Sequence, residues 1–198
     1  MSFYRLRDFL SVSLYRALSG FLFHSTGRHV RIVWPLRIVG GRYLRFADDV
    51  SVETGAYIAA LPVGETKPSV TFGRGTKIGN HVHIVCIDSI EFGESVLVAD
   101  RVFIADNQHG YTNPVTAIMD QPLLRFGPVK IGRHSWIGEN VCIVGASVGE
   151  HCVIGANSVV TRDIPDWCVA AGSPAVPIKR YCPETGGWGR IAADDGPA

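Results

Sequence analysis

Residues 129–166 read VKIGRHSWIGENVCIVGASVGEHCVIGANSVVTRDIPD, and their spacing decides the fold. Ile131, Ile137 and Ile143 stand six apart; after a slip of one residue, Val148, Ile154 and Val160 do the same. Gly132, Gly138, Gly149 and Gly155 each follow one of these aliphatic residues. A period of six matches neither a helix, near 3.6, nor the alternation of a lone strand, near 2. It matches a coil of short strands joined by tight corners, with one aliphatic plug per flat side, as in hexapeptide β-helices. Glycine after the plug is expected to supply the positive φ that a sharp corner demands.

Upstream the same period runs less cleanly. Ile32, Ile38 and Leu44 hold it, Val52 and Ile58 resume it, and Phe72, Ile78, Ile84 and Ile90 keep step. Phe92, Val98 and Ile104 follow after a further shift. Val82, Val96 and Val102 form a second inward column, as strand alternation requires. Residues 62–68, PVGETKP, read as a loop leaving the coil. Residues 105–128 break the pattern outright; with three prolines and two glycines they read as a long loop, and long loops on rigid scaffolds often carry function. At about 18 residues per turn and a strand spacing near 4.8 Å, the repeats build roughly seven coils in a prism about 30 Å long. Nothing regular is legible after Tyr181. The chain therefore divides into a helical segment over 1–28, a β-helix over 29–180 with its loop at 106–128, and a flexible tail over 181–198.

With 198 residues, 46% of them hydrophobic, the chain suffices for one domain with a sizeable core. A net charge of +1 gives no global support for a nucleic-acid partner. The five cysteines, Cys86, Cys142, Cys152, Cys168 and Cys182, lack metal-type spacing and leave one over in any disulfide scheme, so reduced structural thiols are expected. Cys152 falls in a small-side-chain column with Ser135 and Ser158, a packing position rather than that of an acyl carrier.

Residues 3–23, FYRLRDFLSVSLYRALSGFLF, read as an amphipathic helix, with Leu6, Leu10, Leu14, Ala17, Leu18 and Phe21 recurring at spacings near three and four. The helix is expected to pack on the end of the coil and cover its open edge. With Arg5, Arg7 and Arg16 beside the apolar residues, peripheral contact with a membrane is the other reading. Arg16 interrupts the apolar run and argues against a span.

The repeats, followed by AAGSPAVPIKR at 170–180, resemble the hexapeptide-repeat acyltransferases, above all the branch that O-acetylates sugars: galactoside and maltose acetyltransferases and their polysaccharide-modifying relatives. The likeness covers about residues 30–180. It implies an all-β, left-handed parallel β-helix assembled as a homotrimer, with acetyl-CoA as acyl donor, a saccharide as acceptor and no metal. The reduced cysteines, for their part, lead to the expectation of a cytoplasmic place, at the inner face of the membrane if the N-terminal helix touches lipid.

His109, in DNQHGY, matches the family's catalytic histidine. A thioester needs no protein nucleophile to react with a sugar hydroxyl, but the hydroxyl proton must leave, and an imidazole near pKa 6.5 is neutral enough to take it. A solvated loop histidine is the plain alternative. Asp106 or Asn107 is expected to orient that imidazole, unless the pair merely forms a turn. His81, His83 and Asp88 lie one coil earlier, near the family's acceptor-binding residues, and spacing by two is expected to put both histidines on one face. Tyr111, Leu123, Leu124 and Phe126 on the loop are placed to stack on a sugar or to pack the loop down.

By the same resemblance the CoA side comprises Trp136, Gly138, Ala156 and Thr161, with Ala171 and Gly172 in the closing turn. Arg162, Lys179 and Arg180 are the cations available to the CoA phosphates. Val176 stands where relatives often carry a basic residue. Two other functions stay open: N-acetylation of a nucleotide-linked amino sugar, and a β-helix scaffold without activity. A three-histidine zinc site of the γ-carbonic-anhydrase kind is disfavoured, because His109 has no histidine neighbour before His134.

Overall fold

A computed structural model describes residues 3–191. Helix α1, Phe3–Leu22, precedes a three-sided parallel coil. Face 1 stacks Ser25–Thr26, Leu44–Phe46, Ser69–Phe72, Ser89–Phe92 and Val129–Ile131. Face 2 stacks seven parallel strands from Arg31–Ile32 to Cys168–Gly172. Face 3 runs through Arg37–Val39, Tyr57–Ala60, His83–Cys86, Phe103–Ala105, Cys142–Val144 and Val159–Val160.

The six-residue plugs stand directly over one another. On face 3 the inward ladder is Ile38, Ile58, Ile84, Ile104, Ile143 and Val160. On face 2 it is Ile32, Val52, Ile78, Val98, Ile137, Ile154 and Ala170. Face 1 begins with aromatics: the rings of Phe46 and Phe72 stack at 4.8 Å and those of Phe72 and Phe92 at 5.1 Å. Because each strand repeats the one below, apolar side chains stack in continuous columns that make up the core.

The glycines serve a purpose other than the expected one. Gly132, Gly138, Gly149 and Gly155 do not have positive φ; that conformation falls two residues later, at His134, Asn140, His151 and Asn157. At Gly138 an added Cβ would lie 2.6 Å from the carbonyl oxygen of Ile154 in the next coil. Gly132 and Gly149 meet the backbone above them in the same way. These positions are bare because neighbouring corners approach closely. The corner residues with positive φ form columns of their own. His134 and His151 are bridged at 3.0 Å between ring nitrogens, and His151 stacks on Trp167 at 4.0 Å. Tyr181 and Trp188 continue that stack.

The cysteines are free. Burial pushes the Cys152 thiol up to about 11, and its Sγ donates to the Pro165 carbonyl at 3.0 Å. Burial, and secondarily the Asp106 carboxylate, raises Cys86 as well. Ser135 Oγ accepts the Cys152 N–H at 2.9 Å, so the small column is a packing feature.

Both ends of the coil depart from the expected picture. Helix α1 does lie on the first coil, but turns a largely polar side toward it. Ser11 is buried; its hydroxyl donates to the Ile32 carbonyl and accepts the Trp34 N–H. Tyr15 stacks on Phe23. Leu10, Leu14 and Phe21 face outward, and Phe21 is 90% exposed. Each large apolar side chain left in water forgoes roughly 1.5–3 kcal/mol of burial. At the other end the chain does not become irregular at Tyr181. Ala175–Cys182 folds back antiparallel on Cys168–Gly172 and pairs with Gly187–Arg190. The rest of the predicted tail, residues 192–198, lies outside the described residues.

Candidate active site

The long loop leaves face 3 after Phe103–Ala105 and returns at Val129. It is more ordered than its composition suggests. Asn107–His109 pairs antiparallel with Leu123–Arg125, and His109 stands opposite Leu123. Gln121 staples the tip: its amide donates to the carbonyls of Asn113 and Thr116 at 2.9 Å, and its oxygen accepts the Asn113 N–H. Phe126 covers Gly145 of the following coil and so packs the returning strand down. Tyr111, Val115, Ile118 and Met119 stay exposed.

His109 is exposed at the end of the outgoing strand. An imidazole there is free to approach a substrate. Asp106, by contrast, does not orient it. Its fully buried carboxylate accepts the N–H groups of Ile87 at 2.9 Å and Asp88 at 2.8 Å and the Asn107 amide at 2.8 Å. The Asn107 amide also donates to the Val85 carbonyl at 3.2 Å. The bonds of Asp106 and Asn107 are thus directed at the corner below, the root from which the His109 strand departs. Asp88 meets Arg125 at 3.7 Å and ties the returning strand to the same corner. Neither Arg125 nor Gln121 is picked out by a sequence motif; only the hairpin register reveals them.

His83 and His81 are not on one face. His83 points outward on face 3, between the edges of Tyr57 at 4.5 Å and Phe103 at 5.4 Å. Partial burial in that aromatic column lowers its pKa below the ordinary histidine value. His81 occupies the preceding corner with φ 55°, its ring against Gly55. Two residues of separation guarantee a shared face only within one strand, and the strand begins at His83.

Trp136 is half exposed on the outside of face 2, level with Leu97 and Val153. Gly138 and Ala156 follow at the corner between faces 2 and 3, one coil apart. Thr161 and Arg162 are exposed after the last face 3 strand. In the closing turn the Gly172 N–H donates to Ser158 Oγ at 3.2 Å, Gly172 has φ 109°, and Ser173–Pro174 is cis. Ala171 pairs with Val176, and Lys179 with Val169. Arg180 goes elsewhere: with Pro165, Asp166, Trp167, Tyr181 and Pro183 it lines a cleft of about 570 Å³ at the corner between faces 1 and 2. Antiparallel alternation sends Lys179 and Arg180 to opposite sides, which separates Arg180 from the corner of Gly138 and Ala156.

Residues 128–162 match the profile described as "Hexapeptide repeat of succinyl-transferase". The chain is 34% identical over 169 residues to WbbJ of Escherichia coli K12, a candidate lipopolysaccharide biosynthesis O-acetyl transferase; the match covers 81% of this chain and 84% of that one. A galactoside acetyltransferase solved in complex with coenzyme A superposes with a TM-score of 0.58 at 26% identity, over 85% of this chain and 70% of that one. The Bacillus cereus N-acyltransferase AntD, in complex with dTDP and 3-hydroxybutyryl-CoA, shares the fold: TM-score 0.72 at 19% identity, over 86% and 89% of the two chains. The hexapeptide ladder, the profile match and the likeness to WbbJ and the galactoside acetyltransferase together place the chain in the hexapeptide-repeat acetyltransferase family, built on the left-handed parallel β-helix.

Proposed function

We propose that the protein is an acetyl-CoA-dependent O-acetyltransferase of surface polysaccharide or lipopolysaccharide biosynthesis, with His109 as general base. One observation carries the proposal: an exposed imidazole held on a hairpin whose root is locked to the coil by Asp106, Asn107 and Arg125. His109 takes the proton of a saccharide hydroxyl as its oxygen attacks the thioester carbonyl. Backbone N–H groups stabilise the oxyanion that forms. The carbon–sulfur bond then breaks, and the imidazolium returns its proton to the departing CoA thiolate. The products are the acetyl ester and free CoA.

Trp136, Gly138, Ala156, Thr161 and the Ala171–Gly172 turn are the proposed donor side, with Arg162 and Lys179 for the phosphates. His83 and Asp88, on the coil below the hairpin root, are the proposed acceptor side. Assembly into a homotrimer fits the exposed apolar tip of the loop, Val115, Ile118 and Met119, which invites a neighbouring subunit. The decisive variant is His109→Ala. Loss of a general base lowers kcat by roughly 10² to 10⁴, while the affinity for CoA in calorimetry stays at the wild-type value. Retention of more than half the wild-type rate on an accepted saccharide would reject the assignment.

A further inference from the structure

We propose that the N-terminal end of the prism docks on an anionic lipid bilayer through the outward face of α1. The helix is inverted relative to an ordinary capping helix. Toward the coil it turns Ser11, Tyr15 and Ser19; toward solvent it turns Phe9, Leu10, Leu14, Leu18 and Phe21. Trp34 and Leu36, on the chain after the first face 2 strand, widen the apolar patch, and the Trp34 indole N–H is tied to the Arg7 carbonyl at 3.0 Å. No helix among the described residues is long and apolar enough to cross a membrane. An amphipathic helix of this kind lies in the plane of a bilayer surface instead.

Charge selects lipid over a second protein surface. Residues 1–45 hold eight arginines and a single acidic residue, Asp8, whereas residues 46–198 hold 11 basic and 17 acidic residues. A chain that is almost neutral overall therefore carries an excess of positive charge in its first 45 residues. Arg28 and Arg31 are neutralised by Asp48 and Glu53 in the next coil. Arg16, Arg37 and Arg42 are exposed, and none has a carboxylate partner among the described residues. Arg16 is on α1 itself, Arg42 lies in the short turn Gly41–Tyr43 that packs against α1, and Arg37 follows Leu36 directly, so all three are at the first coil, where the negative surface potential of a bilayer attracts each of them. The inference stands on α1 and the charge distribution alone, so it does not depend on the acyl-transfer reading.

The test is co-sedimentation of the full chain with vesicles of phosphatidylethanolamine and phosphatidylglycerol, against vesicles of phosphatidylcholine alone. Binding to the anionic vesicles, weakened by salt, is expected. Leu10→Glu with Leu14→Glu abolishes it; both side chains are exposed, and an unchanged circular dichroism spectrum checks that the fold is intact. Arg16→Gln, Arg37→Gln and Arg42→Gln together weaken it roughly 100-fold. Equal binding to neutral vesicles, or binding that survives the leucine changes, would overturn the proposal. So would a change in sedimentation velocity of the leucine variant without vesicles, which makes a second copy of the chain the occupant of that face.

Discussion

Replacing Asp106 with alanine should loosen the root of the hairpin that carries His109. The buried carboxylate receives two backbone N–H groups, from Ile87 and Asp88, and the amide of Asn107. The Asn107 amide retains the Val85 carbonyl, but the two backbone donors cannot turn away. An orphaned buried donor costs about 1–3 kcal/mol, and more where the lost acceptor was charged. With the Ile87 donor buried and the Asp88 donor partly so, a loss of roughly 2–4 kcal/mol follows, a large share of a typical stability of about 5–15 kcal/mol. Asp106→Asn keeps the shape and one acceptor oxygen but turns an NH₂ group on the remaining donors, so its loss is intermediate. Urea unfolding gives the magnitude, and hydrogen exchange at the Ile87 and Asp88 amides gives the location. The catalytic readout separates anchoring from orientation: kcat falls while the midpoint of its pH profile stays in place. Unchanged exchange at both amides, with a stability loss under about 1 kcal/mol, would refute the anchoring argument. A displaced pH midpoint would restore the orienting role to Asp106.

Gly138→Ala should overpack the corner, because its Cβ would meet the Ile154 carbonyl at 2.6 Å; a loss of about 1–3 kcal/mol in urea is expected, and an unchanged midpoint would contradict the close approach. His83 should titrate below the ordinary histidine value, since burial disfavours its cationic form. A depressed folded-state pKa means stability that is present above about pH 6.5 and lost as pH falls through the lowered value. Its ring resonances, followed by NMR across that range, provide the check, and a midpoint at or above the ordinary value would contradict it.

Much of the fold was legible because a period of six is a statement about spacing, and spacing is what a coil repeats. The plugs from Ile32 to Val160 stand in register and all but the half-buried Ile38 are buried, and seven coils on face 2 match the expected length. The errors concern direction. Glycine after a plug signals either positive φ or close approach, and residue type alone does not separate them; Asn140 and Asn157 take the left-handed conformation instead. The spacing of Leu10, Leu14 and Phe21 reveals a stripe but not which way it faces. Asp106 precedes His109 closely, yet its carboxylate turns to the corner below. The terminal hairpin lacked apolar alternation because cross-strand partners such as Tyr181 and Trp188 hold it together. The stack of His134, His151 and Trp167 was visible in principle, at spacings of 17 and 16 residues, once the corner position of the repeat is tracked as well as its plug.

A stack of parallel strands has two raw ends, and either could serve as a template for further copies. Here the two ends are closed by unlike devices. Helix α1 lies over the first coil, and the strand direction reverses at Ala175 beyond the last. Neither closure offers a next copy the parallel register it would need. Head-to-tail stacking of copies in continuous parallel register is thereby disfavoured at the two ends, and the sides of the prism are the surfaces that keep a regular repeat.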